Sequence, residues 1–262
     1  MARMMTRVPH PLRFRRLLVQ RVEPIAPRMR RIVFGGEELD GFVSLAFDDH
    51  VKLFFPLADG RLPMPVPSGT GLAFPEGEPR PEARDFTPRA WSPERRELVI
   101  DFVLHGHGPA STWAASAAPG AAIGAGGPRA SSIVSDTYDW NLLIGDETAL
   151  PAIGRRLEEL PDRVRTIVVI QIEDEACRIP LASRSASDVS WVRRRTETSI
   201  DDVVTGLTLP PGEGFAWIAG ESAMARRLRR HLLDVRGIDP ASVKAASYWR
   251  VGDVGRHEVI VD

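Results

Sequence analysis

Two rhythms of apolar and polar positions run along this chain. From Phe14 to about Val134, short segments alternate apolar with polar residues, and turn residues cut them apart. Phe14–Glu23 and Met29–Phe34 alternate apolar residues with Arg until Gly35-Gly36 breaks the pattern. His50–Phe55 and Leu98–Leu104 are two more strand candidates, the second rich in β-branched residues that suit a pleated surface. Short strands at roughly ten-residue spacing predict an antiparallel barrel or sandwich. Pro56–Ala83 carries many Pro and Gly and no period, so it reads as a long irregular loop.

The rhythm changes at Trp140. Trp140–Ile144 is a short apolar strand that ends in Gly145. A helix follows, with Ala149, Leu150, Ile153, Leu157 and Leu160 on one face and Pro151 in its first turn. Arg165–Ile172 is almost continuously apolar, the signature of a strand buried on both faces. Val189–Val192, Ile200–Leu207 and Phe215–Ala219 repeat strand, helix, strand. Ser222–Val235 is amphipathic, with Met224, Leu228, Leu232 and Val235 inward and Arg226, Arg227, Arg229 and Arg230 outward. Such alternation implies a parallel sheet with right-handed crossovers. The expected organisation is a β-barrel domain over 1–134 and an α/β domain over 135–262.

Composition narrows the function classes. With 262 residues, 43% hydrophobic and 26% charged, the chain is an ordinary globular protein that needs no staples. Its one cysteine, Cys177, excludes an intramolecular disulfide and a Cys-based zinc or iron–sulfur site, and suits a reducing cytosol. No apolar run reaches the roughly 18–20 residues of a membrane span, and no signal peptide is evident. A cytoplasmic protein without membrane contact is expected. Net charge is −1, which argues against nucleic acid as a partner. Residues 1–135 hold 17 Lys+Arg against 14 Asp+Glu, and 136–262 hold 17 against 21. Only Lys52 and Lys244 are lysines. That bias reflects either coding in a GC-rich genome or a use for fork-shaped phosphate and carboxylate grips.

Four segments carry candidate chemistry. RDFTPR places Arg84, Phe86, Thr87 and Arg89 within six residues. An aromatic ring, a hydroxyl and two guanidinium forks suit a ring cofactor bearing phosphate, although Arg-rich strand ends are also common. DFVLHGHGPASTWA (Asp101–Ala114) runs a strand into His105-Gly106-His107-Gly108 and then opens a helix. Gly106–Thr112 is either a phosphate cradle at a helix start or a plain strand-to-helix turn. The two histidines lack an acidic third ligand nearby, so no metal site is expected. GDETALP (Gly145–Pro151) and AGES (Ala219–Ser222) each close a strand of the α/β half, where open parallel sheets bind ligands. No G-x-G-x-x-G accompanies them. SYWRVG (Ser247–Gly252) clusters Tyr248, Trp249 and Arg250 near the C-terminus.

In order and wording, these segments resemble the siderophore-interacting protein family of ferric-siderophore reductases, within the ferredoxin-reductase-like superfamily. The likeness spans almost the whole chain. It includes APRMRRIVFGGEELDGF (Ala26–Phe42), DDHVKLFFP (Asp48–Pro56), DFVLHGHGPASTWA, GPR (Gly127–Arg129), YDWNLLIGDETALPAI (Tyr138–Ile153), FAWIAGE (Phe215–Glu221) and YWRVG. It implies a six-stranded FAD-binding barrel followed by an NAD(P)H-binding-like domain. Arg84, Phe86, Thr87 and Arg89 occupy the family's R-x-Y-T/S-x-R, with Phe86 in place of the usual Tyr. By resemblance, Arg84 grips a flavin phosphate, Phe86 packs on the isoalloxazine and Thr87 hydrogen-bonds near N5. Asp101, Val103, His105, Gly106, Ala110, Ser111, Thr112 and Trp113 complete the implied FAD set.

The implied NAD(P)H side comprises Asp146, Glu147, Thr148, Ala149, Gly220 and Glu221. The implied substrate side comprises Arg193, Lys244, Tyr248, Trp249 and Arg250, while Arg193-Arg194-Arg195 could equally be a solvated strand edge. The expected activity is reduction of a ferric siderophore by a cytoplasmic monomer that takes electrons from NAD(P)H, or from reduced ferredoxin, through FAD. No side-chain nucleophile is required. The competing readings are a general flavin diaphorase with a protein acceptor and a flavin-free siderophore-binding module.

Overall fold

The computed structural model describes residues 5–68, 71–252 and 258–260. The chain divides into two compact units, one of Thr6–Ile133 and one containing Val134–Asp262. The division falls one residue before the expected 134/135 boundary.

In the first unit, β1 (Thr6–Pro9), β2 (Phe14–Ala26), β3 (Met29–Gly35), β4 (Val51–Phe54), β5 (Val66–Ser68), β6 (Gly71–Ala73), β7 (Ala83–Phe86), β8 (Ala90–Ser92) and β9 (Glu97–Val103) precede helix α1 (Pro109–Ser116). Strands β10 (Ala122–Gly126) and β11 (Ala130–Ile133) complete it. The main antiparallel, barrel-like sheet has the order β7-β4-β10-β2-β3-β9-β8, seven strands among the described residues rather than six. The extra member is the three-residue β8, which pairs with β9 beyond the reach of a period-two count. Alternation puts Leu17, Val19, Ile32, Phe34, Leu98, Ile100 and Phe102 into one core. The Pro/Gly-rich segment expected to be wholly irregular contains the β5–β6 hairpin. Helix α1 packs against β3, β7 and β9, which brings the RDFTPR and HGHGPAST segments together.

The second unit contains β12 (Trp140–Asp146), α2 (Leu150–Glu159), β13 (Arg165–Ile172), β14 (Ser187–Arg193), α3 (Ile200–Gly206), β15 (Gly214–Glu221), α4 (Ser222–Arg230), β16 (Val243–Trp249) and β17 (Glu258–Ile260). Its sheet has the order β14-β13-β12-β15-β16-β17, parallel except for β17. Strand order reverses between β12 and β15, the topological switch point where such sheets bind ligands. Leu142, Ile144, Val169, Ala216 and Ile218 pack with Met224, Leu228 and Leu232 on one face. The last turn of the expected Ser222–Val235 helix is a π-helix, His231–Val235.

Two glycines shape the switch point. A Cβ on Gly145 would lie 2.3 Å from the Ala149 Cβ and 2.8 Å from the Ala219 carbonyl, so only Gly lets β12 turn tightly into α2 beside β15. Gly220 has φ +146°, and a Cβ there would meet Asp146 Oδ2 at 2.6 Å. Between β15 and β16 the register slips at Gly220/Glu221: Gly220 pairs with Ser247 and Glu221 with Trp249. Tyr248 is the extra residue of this bulge, and a bulge re-aims the side chains that follow it.

Candidate active site

Near the start of β7, Arg84 donates through Nη1 to Glu82 Oε2 (3.0 Å) and to the Ala83 carbonyl (2.7 Å). Its Nη2 is buried with no partner. Two residues on, the Phe86 ring lies 4.5 Å from Phe102 and 6.4 Å from Phe55, centroid to centroid, and Thr87 is buried. The Arg89 backbone N–H donates to the Val99 carbonyl. In the turn from β9 to α1, the N–H groups of His105 and Gly106 both donate to Ser111 Oγ, at 3.0 and 3.1 Å. Gly108, at the N-cap of α1, brings no side-chain cap. The His105 and His107 rings meet edge to face at 4.5 Å. Burial, with His107 and Arg28 nearby, pushes the His105 imidazole below its usual value, which favours the neutral ring.

This end fits a phosphate-bearing ring cofactor. A buried guanidinium N–H without an acceptor is costly unless an anion completes it. A helix start that no side chain caps offers backbone N–H groups to the same kind of anion. Among the described residues no group of three His, Cys, Asp or Glu side chains forms a metal site.

The carboxyl ends of β12–β16 are built differently. Asp146, fully buried, accepts from the Thr148 N–H (2.9 Å) and hydroxyl (2.5 Å), the Glu221 N–H (3.0 Å) and the Trp249 indole N–H (2.8 Å). Glu147 accepts from the Glu173 N–H and from Arg194 Nη2, the latter at 3.0 Å. The Arg194 guanidinium also reaches Gln171 Oε1 (3.2 Å), Asp146 (3.5 Å) and Glu173 (3.7 Å), and sits 5.6 Å from the Trp249 ring centre. Asp146 caps the turn that opens α2, and Glu221 caps α4 by accepting from the Met224 N–H. Both helix starts are thus already served by the chain's own carboxylates.

Burial pushes the Glu147 carboxyl above its ordinary value, against the opposing pull of Arg194. A carboxyl raised in the folded state favours folding below its unfolded value, and that advantage is lost as pH rises through the raised value. The stability of wild type minus that of Glu147→Gln, from urea unfolding at several pH values, is therefore expected to fall as pH climbs above 4.5. A difference that grows with pH would give the Arg194 pairing control instead.

Two family models match this chain: the siderophore-interacting FAD-binding domain over residues 18–132 and the siderophore-interacting protein over residues 138–252. An NADPH-dependent ferric-chelate reductase of Escherichia coli is 40% identical, covering 93% of this chain and 95% of the relative. The chain belongs to the siderophore-interacting protein family. The ferric vibriobactin reductase ViuB of Vibrio cholerae is 29% identical, over 87% of this chain and 86% of its own. A siderophore utilization protein from T. fusca superposes with a TM-score of 0.88 at 34% identity, covering 96% of this chain and 98% of that one.

Several residues from the expected set have partners within the protein. Asp101 is engaged by the Arg31 fork at 2.8 and 2.9 Å inside the barrel wall. Val103 lies in the ladder opposite Met29. Trp113, partly buried, stacks on Phe34 at 6.1 Å and packs on Phe55 and Phe102, against the barrel core. Ala149 is buried against Gly145. Lys244 sits at the amino end of β16, about 16 Å of strand away from Trp249, and does not share its end of the sheet. Tyr248 packs edge-on against Trp217 at 6.3 Å, and Arg250 is exposed.

Arg193 is exposed, while its neighbour Arg194 turns into the cluster. Arg194 is the first residue after β14, where its N–H donates to the Ile172 carbonyl at the end of β13. Glu173 is the residue that sequence reasoning missed, and Arg194, read with its neighbours as a cation for the substrate side, pairs instead with Asp146, Glu147 and Glu173. The triple Arg signalled a cation at this end but not which one turns inward.

Proposed function

We propose that this chain is an FAD-dependent ferric-siderophore reductase that acts as a cytoplasmic monomer with NADPH as donor. The observation that carries it is the unpartnered, buried Nη2 of Arg84, two residues from Phe86 on the same strand, in a chain 40% identical to a ferric-chelate reductase. Arg84 and the uncapped start of α1 hold the cofactor's phosphates. Phe86, backed by Phe102 and Phe55, offers an apolar face for the flavin ring and keeps water from it. Thr87, buried next to Phe86 in sequence, would supply a hydroxyl to the same ring. Bound FAD supplies the exchange between two-electron hydride chemistry and the one-electron chemistry of Fe(III). Siderophores hold Fe(III) through hard oxygen donors, and lowering the metal's charge loosens that hold. The exposed Arg250 offers positive charge to an anionic ferric chelate.

The test is anaerobic. Protein loaded with FAD is expected to bleach on adding NADPH and to recover its colour with ferric chelates, while a ferrous chelator traps the product. Colourless protein that binds ferric siderophore without flavin would identify a binding module. Flavin that bleaches but is re-oxidised only by a protein acceptor would identify a ferredoxin-reductase-type enzyme.

A further inference from the structure

One guanidinium joins the carboxyl ends of three neighbouring strands in the second unit. Arg194 follows β14, and its backbone N–H donates to the Ile172 carbonyl at the end of β13. Its side chain contacts Gln171 and Glu173 on the β13 side, then Asp146 and Glu147 at the end of β12. Its flat face also lies over Trp249, which the bulge between β15 and β16 has turned toward Asp146. A planar fork does this well: it donates in several fixed directions and stacks on an indole at the same time.

This cation is not needed to fill the apolar core, because it remains 23% exposed and lies outside the buried cluster. Three carboxylates surround it, and two of them, Asp146 and Glu147, are buried. Without the fork they would repel each other and the indole would lose its backing.

We propose that Arg194 is a positioning residue of the donor end, fixing the Asp146-Glu147 turn and the Trp249 indole into one preformed surface for the reduced nicotinamide. The inference rests on the proposed use of NADPH at this end of the sheet. Its opposite neighbour in sequence, Arg193, takes no part. The charged groups facing Glu147 are Asp146 from β12, Glu173 beyond β13 and Arg194 beyond β14.

The experiment compares wild type, Arg194→Met, Arg194→Lys and the double variant Arg194→Met/Glu147→Gln, each as FAD-loaded protein. Arg194 acts on the donor only through the surface it holds in place, so Arg194→Met is expected to raise KM for NADPH during flavin reduction by roughly 10-fold, which corresponds to about 1.4 kcal/mol. Flavin content, and re-oxidation of dithionite-reduced protein by ferric chelate, are expected to stay at the wild-type level. The midpoint of the pH profile for flavin reduction is expected to move upward in Arg194→Met, because Glu147 loses its cation, and the double variant is expected to lack that displacement. Arg194→Lys keeps the charge without the fork, so it is expected to restore the pH midpoint but only part of the KM. Arg194→Met with wild-type KM and pH midpoint, whatever its melting temperature, would overturn the proposal. Wild-type flavin that NADPH does not bleach would overturn the donor reading and the proposal together, which separates the two failures.

Discussion

Arg84→Ala is expected to purify largely without flavin, with FAD binding about 10- to 100-fold weaker than in wild type. In the present arrangement one guanidinium nitrogen is tied to Glu82 and Ala83, while Nη2 is buried and has no acceptor. A donor kept dry and unpaired costs free energy that a phosphate oxygen would recover, and a charge-assisted contact contributes about 1.5–3 kcal/mol. The alanine variant loses that recovery but leaves β7 paired with β4 through its backbone. Titration of apoprotein with FAD, followed by flavin fluorescence, measures the effect directly. Wild-type flavin occupancy in the variant would remove Arg84 from the cofactor site.

Asp146→Ala is expected to destabilise the second unit by about 3–5 kcal/mol, the range found when one partner of a buried charged network is deleted. The carboxylate is fully buried and accepts from Thr148, Glu221 and Trp249. Alanine strands those donors and leaves Arg194 paired with Glu147 alone among the two buried carboxylates. The position is also tightly enclosed, since the Gly220 Cα lies where any side chain would strike Asp146 Oδ2. Urea unfolding reports the loss, and tryptophan emission reports release of the Trp249 indole. A transition at the wild-type midpoint would mean that water replaces the carboxylate at little cost and that the cluster is not a unit.

These two sites differ in how far the sequence alone exposes them. RDFTPR is compact: a cation, a ring and a hydroxyl within six residues, brought to one place by a single strand and the turn after it. Local order is enough to make it legible. The carboxylate cluster of the second unit is assembled from five strands, and its hub residues lie as far apart as Asp146 and Trp249.

The chain's own periodicities determined the two-part architecture. A period of two with polar alternation forces half-buried antiparallel strands, and apolar runs alternating with amphipathic helices force a parallel sheet. These are consequences of backbone geometry that act over a few residues, which is why Arg165–Ile172 is recognisable as a buried strand from its letters. Tertiary structure alone decided which residues of those elements face one another. The inward turn of Arg194 rather than Arg193 follows from the pairing of Ile172 with Arg193 between β13 and β14. The approach of Trp249 to Asp146 follows from the bulge opposite Gly220. The assignment of Asp101 to Arg31 and of Trp113 to the core follows from the ladder of β3 with β9 and the docking of α1. A one-residue slip in any of these ladders would exchange the faces, and no local preference selects the register. Packing across the sheet selects it.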